Sequence, residues 1–186
     1  MTTPTSNPRY QPFYCEENIY QLCADGGFAD GDASVVFISN AGRTCALWAQ
    51  RAAREQGAPV VWDYHVVLVD ASGPQAMVWD LDTLVGAPVP FAVWWQATFP
   101  FGATVPEPFQ PQFRVVPAGV FLQTFSSDRS HMRDAQGHWQ APPPEWAPIF
   151  RPDEGMNLDR FIDMDSDFVG EVLDAAAMRR RFGSQE

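Results

Sequence analysis

Three side chains in this sequence could serve as nucleophile, base and orienting group in acyl chemistry: Cys15, His65 and Asp80. A free thiol has a pKa of about 8.5, so it stays mostly protonated at neutral pH unless a helix N-terminus and an adjacent imidazole favour the thiolate. The imidazole would take the thiol proton and return it to the leaving group, and the carboxylate would hold the ring in one tautomer. These residue types predict a cysteine nucleophile, provided that the fold brings them together.

The position of Cys15 in its local pattern favours that role. Apolar residues at 15, 19, 22 and 23 follow helical spacing, which Asp25-Gly26-Gly27 ends, so Cys15 is expected in the first turn of a helix and on its buried face. Backbone N–H groups at the helix start, including that of Cys15, are placed to form an oxyanion hole. Glu16 and Glu17 suit the helix dipole but oppose ionisation of the thiol.

His65 and Asp80 fall on the two strands of one predicted hairpin. Residues 59–69 and 76–81 are apolar runs separated by a turn composition. A turn centred on Ser72-Gly73 makes His65 and Asp80 direct cross-strand partners, with Cβ atoms about 4.5–5.5 Å apart. Both faces of the hairpin are otherwise apolar, so we expect it to be central in its sheet and covered on both sides.

Two further residues are expected near these three. Asp63 lies two residues before His65 and is expected on the same strand face, pointing into the same cleft. His131 lies in a polar loop, residues 126–132, and could line that cleft, although a solvated loop residue is the other interpretation.

The remaining patterns predict the α/β (α+β) fold class, with an antiparallel central sheet flanked by helices. Further strands are predicted at 34–39 and 112–116, and helices at 44–56, 117–125, 157–162 and 168–182. Residues 86–112 are rich in Pro and aromatic side chains and predict a long packed excursion with one helical turn.

The length predicts one domain. The chain has 186 residues, of which residues 1–13 are polar and Pro-rich and are predicted to be a flexible N-terminal arm. Residues 14–186 are predicted to form a single catalytic domain, and we find no self-complementary stripe, which favours a monomer.

Composition excludes several function classes. All 12 basic residues are Arg, against 23 Asp plus Glu, for a net charge of -11, which argues against a nucleic-acid partner. No apolar run is long enough for a membrane span. The first thirty residues lack the apolar region of a secretory signal, so the cytoplasm is the expected compartment. The three cysteines show neither disulfide-framework nor zinc-finger spacing, and no metal or cofactor is expected.

Several segments of the chain closely resemble the protein N-terminal glutamine amidohydrolase family, which has a W-D-Y-H-V signature. The strings are FYCEENIY (13–20), VFISN (36–40), VWDYHVVL (61–68), WDLDT (79–83) and SDRSHM (127–132). The resemblance extends from about Tyr14 to Gly183 and is poor over residues 86–112. It implies a papain-like or transglutaminase-like fold and the triad Cys15, His65 and Asp80, the three residues also reached from helix position and hairpin pattern.

The resemblance also implies an activity. The substrate would be a protein or peptide with a free N-terminal Gln, whose side-chain amide is hydrolysed to Glu with release of ammonia and without a cofactor. An internal Gln must be refused, so an acidic or carbonyl group must meet the α-ammonium. The candidate substrate-binding residues are Asp63, Glu16, Asp128 and His131.

Two other function classes use the same residues differently. A cysteine protease or a transglutaminase-type acyl transferase would have the same triad in a longer groove. A non-catalytic module could bind peptides through the aromatic residues of 86–112. In that case Cys15 would be a small buried hydrophobic residue and His65–Asp80 a satisfied buried pair.

Overall fold

A six-stranded antiparallel sheet forms the centre of the computed structural model, which describes residues 7–183. Its strands lie in the spatial order β6, β5, β4, β1, β7, β8, so β1 is central although it comes first in the chain. The bounds are β1 Ala33–Ser39, β4 His65–Asp70, β5 Met77–Trp79, β6 Val89–Pro90, β7 Gln112–Pro117 and β8 Glu171–Leu173. β2 (Cys45–Leu47) and β3 (Val60–Trp62) pair in a separate two-stranded sheet.

Helices cover both faces of the sheet. Among the described residues they are α1 Cys15–Gly26, α2 Phe91–Thr98, α3 Ala118–Thr124, α4 Leu158–Ile162 and α5 Ala175–Phe182. One core joins α1, α3 and α4 to the face of β4 that carries Val66 and Leu68. The other core joins α2 and α5 to the face that carries Val67 and Val69. The predicted fold class and the antiparallel sheet flanked by helices are confirmed.

The predicted helix at Cys15 is confirmed at both ends. It begins at Cys15 and runs to Gly26, with Gly27 in the left-handed region at φ 70° as its C-cap. No side chain caps the helix start, and the N-cap residue is Tyr14. Asn18 instead holds the preceding segment: its amide nitrogen donates to the Gln11 carbonyl, and its oxygen accepts from the Gln11 N–H. These contacts orient the chain just before Cys15.

The predicted hairpin exists, but its register differs from the predicted one by two residues. Val69 pairs with Val78 and Asp70 with Met77, so His65 and Asp80 are not direct cross-strand partners. The loop is wider because Ser72 donates its backbone N–H to the Asp70 carboxylate and so starts the turn at once after β4. A slip of two residues keeps every side chain on its predicted face, because side chains alternate with a period of two.

The long predicted strand 59–69 is broken. It bends at Asp63 and Tyr64, where the Tyr64 N–H donates to the Asp63 carboxylate and the Ser39 hydroxyl donates to the Asp63 carbonyl. The first part, β3, therefore leaves the central sheet and pairs with β2. The predicted helix over 44–56 is wrong for the same reason, because Cys45–Leu47 is the buried strand that β3 requires.

Two further predictions need correction. The predicted helix 168–182 is wrong in its first half, where Glu171–Leu173 extends the sheet beside β7 and only Ala175–Phe182 is helical. The excursion 86–112 contains an eight-residue helix, α2, rather than one helical turn. The segments β7, α3 and α4 confirm the predictions for 112–116, 117–125 and 157–162.

The predicted arm is only partly within the described residues. Residues 1–6 lie outside them, and residues 7–13 form no helix or strand. Tyr10 donates its hydroxyl to Asp82, and the Gln11 side chain donates to the Pro142 carbonyl. The division of the chain into an arm and a domain stays a prediction. In the part of the chain that is described, no helix has both the length and the apolar character needed to cross a membrane.

Candidate functional site

His65 and Asp80 form a fully buried pair. The His65 Nε2 lies 2.9 Å from Asp80 Oδ1, and neither side chain is accessible to solvent. They meet although they are not direct partners, because Asp80 lies just beyond the end of β5, on the same face of the sheet as His65. The carboxylate also accepts from Gln50 Nε2 (3.2 Å), Trp94 Nε1 (3.0 Å) and the backbone N–H of Asp82 (3.0 Å).

These contacts favour the charged form of both groups. Burial raises the pKa of Asp80, but the charge and hydrogen bond of His65, with the donors Trp94 and Gln50, outweigh it and leave that pKa below its ordinary value. Burial lowers the pKa of His65, but the charge and hydrogen bond of Asp80 outweigh it and leave that pKa raised. The pair is thus arranged to stabilise an imidazolium once His65 has taken a proton.

The second ring nitrogen of His65 is free to act on another group. Its Nδ1 is buried and has no hydrogen-bond partner among the described residues. The Trp62 ring stacks on the imidazole, with centroids 5.6 Å apart and planes 19° apart, which fixes the ring plane. A buried polar atom without a partner is uncommon in folded proteins and is often found at functional sites.

Cys15 lies at the start of α1 and packs in the same core as Val66, the residue after His65. The backbone N–H of Val66 favours the thiolate form of Cys15. Burial raises the pKa of the thiol well above its ordinary value, and the charges of Glu16, Asp82 and Asp63 raise it further. The site as it stands therefore favours the neutral thiol, and a base must take its proton.

A second cluster of polar side chains lies on the other side of Cys15. The fully buried Glu16 places Oε2 3.7 Å from the Cys15 sulfur and 3.0 Å from the Tyr64 hydroxyl, which donates to it. The His131 Nε2 lies 3.5 Å from Glu16 Oε1 and 3.4 Å from the Tyr64 hydroxyl. Burial and the Glu16 charge raise the pKa of Tyr64 well above its ordinary value, so this phenol stays a donor.

Cys15 opens on a cavity of about 470 Å³, a volume in the usual range for small-ligand sites. We call it the Cys15 cavity. Its acidic residues are Asp63, Asp82 and Asp159, and Arg43 is the one arginine that lines it among residues 7–183. Arg43 is already paired with Asp159 at 3.0 Å. The remaining lining residues are Phe13, Cys15, Trp62, Tyr64, His131, Met132, Gln140, Ala141, Met156, Leu158 and Ile162.

The four predicted substrate-binding residues are placed differently. Asp63 and His131 line the Cys15 cavity. Asp63 does so because of the bend after β3, not because of strand alternation with His65. Glu16 lies directly behind the wall that Cys15, Tyr64 and His131 form. Asp128 is exposed and outside the lining, where its carboxylate accepts from the Ser130 backbone N–H.

A buried ion pair holds His131 in place. The Arg129 guanidinium donates two hydrogen bonds of 2.7 Å to the Glu17 carboxylate, and Trp146 Nε1 donates to the same group at 2.7 Å. Arg129 also donates to the carbonyls of Pro144 and Trp146. The loop that carries His131 is therefore attached to the first turn of α1, two residues after Cys15.

Sequence reasoning missed several members of the site. Tyr64 could have been found, because it lies inside the W-D-Y-H-V string between Asp63 and His65. Gln50 and Trp94 also bond to Asp80 but carry no local signal, since Gln50 lies in an isolated β-bridge with Thr83 and Trp94 in α2. Nowhere within residues 7–183 do three or more His, Cys, Asp or Glu side chains converge as a metal site would require.

A larger cavity, of about 900 Å³, lies away from Cys15. Its walls include Trp95, Phe99 and Phe109. These belong to the aromatic residues of 86–112, through which a non-catalytic module could bind peptides. Among the described residues, its lining holds neither a cysteine nor a histidine.

Comparison with known proteins gives a consistent result. The family model described as N-terminal glutamine amidase matches residues 10–182. The chain is 40% identical to "Protein N-terminal glutamine amidohydrolase" of Bos taurus, over 98% of this chain and 92% of the relative. The Homo sapiens protein of that name is 39% identical, over 98% and 93%. The Arabidopsis thaliana protein is 36% identical, over 94% and 86%. The chain therefore belongs to the N-terminal glutamine amidase family.

Proposed function

We propose that this protein hydrolyses the side-chain amide of Gln at the free N-terminus of a protein or peptide, leaving Glu and releasing ammonia. Relatives that match nearly the whole chain carry the name of this activity. The observation that carries the proposal for this chain is the arrangement at the Cys15 cavity. There a thiol at a helix start lies next to the strand that begins with a histidine held by a buried carboxylate.

In the first half of the proposed reaction, His65 takes the Cys15 proton at Nδ1, the atom without a partner. The thiolate attacks the amide carbon, an S–C bond forms, and the charge on the carbonyl oxygen is met by backbone N–H groups at the start of α1. The imidazolium then gives its proton to the amide nitrogen. The C–N bond breaks, ammonia leaves, and a thioester remains. Asp80 holds the ring and stabilises its charged form throughout.

In the second half, water replaces the departed ammonia. His65 takes a proton from the water as it adds to the thioester carbon, and the S–C bond breaks. The products are the γ-carboxyl group of Glu and the Cys15 thiol, which recovers its proton from His65. All steps use groups of this chain and water, so no cofactor or metal is needed.

Recognition of the substrate requires a group that meets the free α-ammonium. Asp63 and His131 are candidates because they line the Cys15 cavity. Glu16 is a candidate because it is buried directly behind Tyr64 and His131, which line that cavity. Asp128 has less support because it is exposed outside the lining. The Cys15 cavity, at about 470 Å³, is large enough to take a terminal Gln residue. Refusal of an internal Gln is therefore expected to come from recognition of the α-ammonium.

The proposal also covers the oligomeric state, the cellular compartment and the partners of the protein. We expect a monomer that works in the cytoplasm without nucleic acid or membrane. The net charge of -11 supports the first of these exclusions, because a phosphate backbone would be repelled.

The test is ammonia release from a short peptide that begins with Gln. The same peptide with an acetylated N-terminus and the Cys15→Ala protein serve as controls. We expect release from the free peptide alone, and its loss in Cys15→Ala. Cleavage of internal peptide bonds would instead support the protease alternative. Transfer of the Gln side-chain acyl group to an amine would support the transglutaminase alternative. No reaction with any of these substrates, with Cys15 no more reactive to iodoacetamide than Cys23 or Cys45, would support a binding module.

A further inference from the structure

Glu16 is a buried carboxylate that the proposed reaction does not use. Its side chain is fully buried, and Oε1 has no hydrogen-bond partner among the described residues. Its other oxygen accepts from Tyr64 and lies 3.7 Å from the Cys15 sulfur. The neighbouring Glu17, equally buried, is fully satisfied by Arg129 and Trp146. A buried carboxylate oxygen without a donor costs stability and so calls for a functional explanation.

We propose that Glu16 Oε1 binds the α-ammonium of the substrate, and that this pairing switches on the adjacent Cys15 nucleophile. The inference rests on the proposed function, since it names the group by which that reaction selects a free N-terminus. It adds a second role for the substrate cation, which acts on the thiol as well as on binding.

The chemistry of the cluster suits an ammonium group. An α-ammonium has three N–H donors and needs acceptors. The Glu16 carboxylate and the Tyr64 hydroxyl oxygen, 3.0 Å apart, can both accept hydrogen bonds from it. The α-nitrogen of Gln is four bonds from its side-chain carbonyl carbon, a span of at most about 5 Å. Glu16 beside the sulfur is therefore within reach when that carbon is at the thiol.

His131 covers Glu16 on the side of the Cys15 cavity. Its side chain is 22% exposed and lies between Glu16 and the Cys15 cavity, with Nε2 3.5 Å from Oε1. Both of its contacts to Glu16 and Tyr64 are long, so a modest turn of the ring exposes Oε1. A nitrogen of His131 thus occupies the place that the substrate nitrogen would take.

The pairing would activate the thiol through charge. Burial raises the pKa of Cys15 most, the Glu16 carboxylate is the next cause, and Asp82 and Asp63 add to it, while the Val66 N–H opposes them. A cation bound to Glu16 cancels the nearest of these negative charges and so favours the thiolate. An acetylated or internal Gln brings no cation and leaves Cys15 as a thiol.

The experiment compares two peptides that differ only in the α-amine. One begins with Gln, and the other carries 4-carbamoylbutanoyl, which has the same amide without the amine. Ammonia release gives kcat/KM for each. We expect the wild-type protein to prefer the Gln peptide by roughly 10³-fold or more. In Glu16→Gln that ratio falls by about 100-fold, because a neutral amide cannot pair the cation.

A second readout follows the thiol itself. Alkylation of Cys15 by iodoacetamide at fixed pH is expected to be faster in Glu16→Gln than in the wild type, because the nearest negative charge is gone. A merely structural role for Glu16 would not speed this reaction. Asp159→Asn is the matched control, because Asp159 lines the same cavity but already pairs with Arg43. It is expected to keep the peptide ratio within about threefold of the wild type. Asp63→Asn tests the other candidate carboxylate of the cavity.

The outcomes separate the two proposals. No ammonia from the Gln peptide with the wild type overturns the proposed function. An active wild type whose peptide ratio is unchanged in Glu16→Gln, or falls only in Asp63→Asn, overturns this inference alone. If Glu16→Gln does not fold, Glu16→Asp withdraws the charge by about 1.5 Å, one C–C bond. It is then expected to lower the ratio at least tenfold, and an unchanged ratio again overturns the inference.

Discussion

At the scale of single residues, Asp80 is the most constrained group of the site. It is fully buried and accepts from His65, Gln50, Trp94 and its own chain at Asp82. Such a carboxylate keeps its charge because every oxygen has donors, and the charge in turn fixes the tautomer of His65. The proposed reaction needs that tautomer, because only a neutral Nδ1 can accept the thiol proton.

Asp80→Asn tests this role. We expect kcat for ammonia release to fall by about 10⁴-fold, as when an amide replaces the acid of such a triad. KM is expected to change much less, because Asp80 does not line the Cys15 cavity. A loss of less than tenfold would show that His65 does not depend on Asp80.

The loss of stability in Asp80→Asn is expected to depend on pH. The pKa of Asp80 is lowered by folding, so its contribution is present above the unfolded value, about 4, and is lost in acid. The pKa of His65 is raised, so its contribution is complete below the unfolded value, about 6.5, and is lost as pH rises through the folded one. The free energy of unfolding of the wild type, measured in urea, should exceed that of Asp80→Asn most, by roughly 3 kcal/mol, between about pH 4 and 6.5. An advantage that keeps growing above pH 8 would contradict the pairing.

At the scale of elements, the loop after α3 matters because it carries His131 to the cavity. Arg129 fastens this loop to α1 through Glu17, a contact between residues 112 positions apart. Removal of one partner from a buried ion pair leaves the other charge unpaired and is strongly destabilising. An ion pair and hydrogen bonds therefore hold the loop against α1.

Arg129→Met is expected to lower the free energy of unfolding by about 3–5 kcal/mol, because Glu17 stays buried with only Trp146 as donor. The matched control is Arg133→Met in the same loop, where an exposed guanidinium stacks on Trp139 at 3.7 Å. That change should cost about 1 kcal/mol or less. Equal losses in the two variants, measured by urea unfolding, would show that the ion pair does not hold the loop.

At the scale of the whole molecule, one buried arginine joins the sheet to the chain that follows α4. Arg114 on β7 donates to the carbonyls of Phe161, Asp163, Ser166, Phe168 and Val169. The segment 161–169 has little regular structure of its own, so these bonds take the place of a strand ladder. It also continues from α4, whose Ile162 lines the Cys15 cavity.

Arg114→Met should therefore destabilise the protein by about 3 kcal/mol or more, because several carbonyls lose a buried donor. Arg160→Met is the matched control, since Arg160 is exposed on α4 and only covers the Phe168 ring at 3.9 Å. Its cost should stay below about 1 kcal/mol. Thermal unfolding of both variants measures the difference. If Arg114→Met is as stable as the wild type, water donates to the backbone carbonyls of the segment in place of Arg114.

The sequence by itself determined the features that depend on local period. The helix that begins at Cys15 and the faces of the hairpin follow from spacings within a few residues, and both are confirmed. The faces survived a register error of two residues, because side-chain alternation repeats every two. The resemblance likewise lies in short strings, and the family match confirms it.

Only the tertiary structure decided what surrounds those residues. The bend at Asp63, the strand at Cys45–Leu47 and the shell of Gln50 and Trp94 around Asp80 all arise from contacts between distant segments. A strand of three residues carries too little pattern to be told from a helix, and it forms here because β3 offers a partner. The placement of Glu16 beside the thiol, with one oxygen unpaired, likewise depends on Tyr64 and His131 arriving from elsewhere in the chain. Local spacing sets which face a side chain takes, whereas its partners are set by packing across the fold.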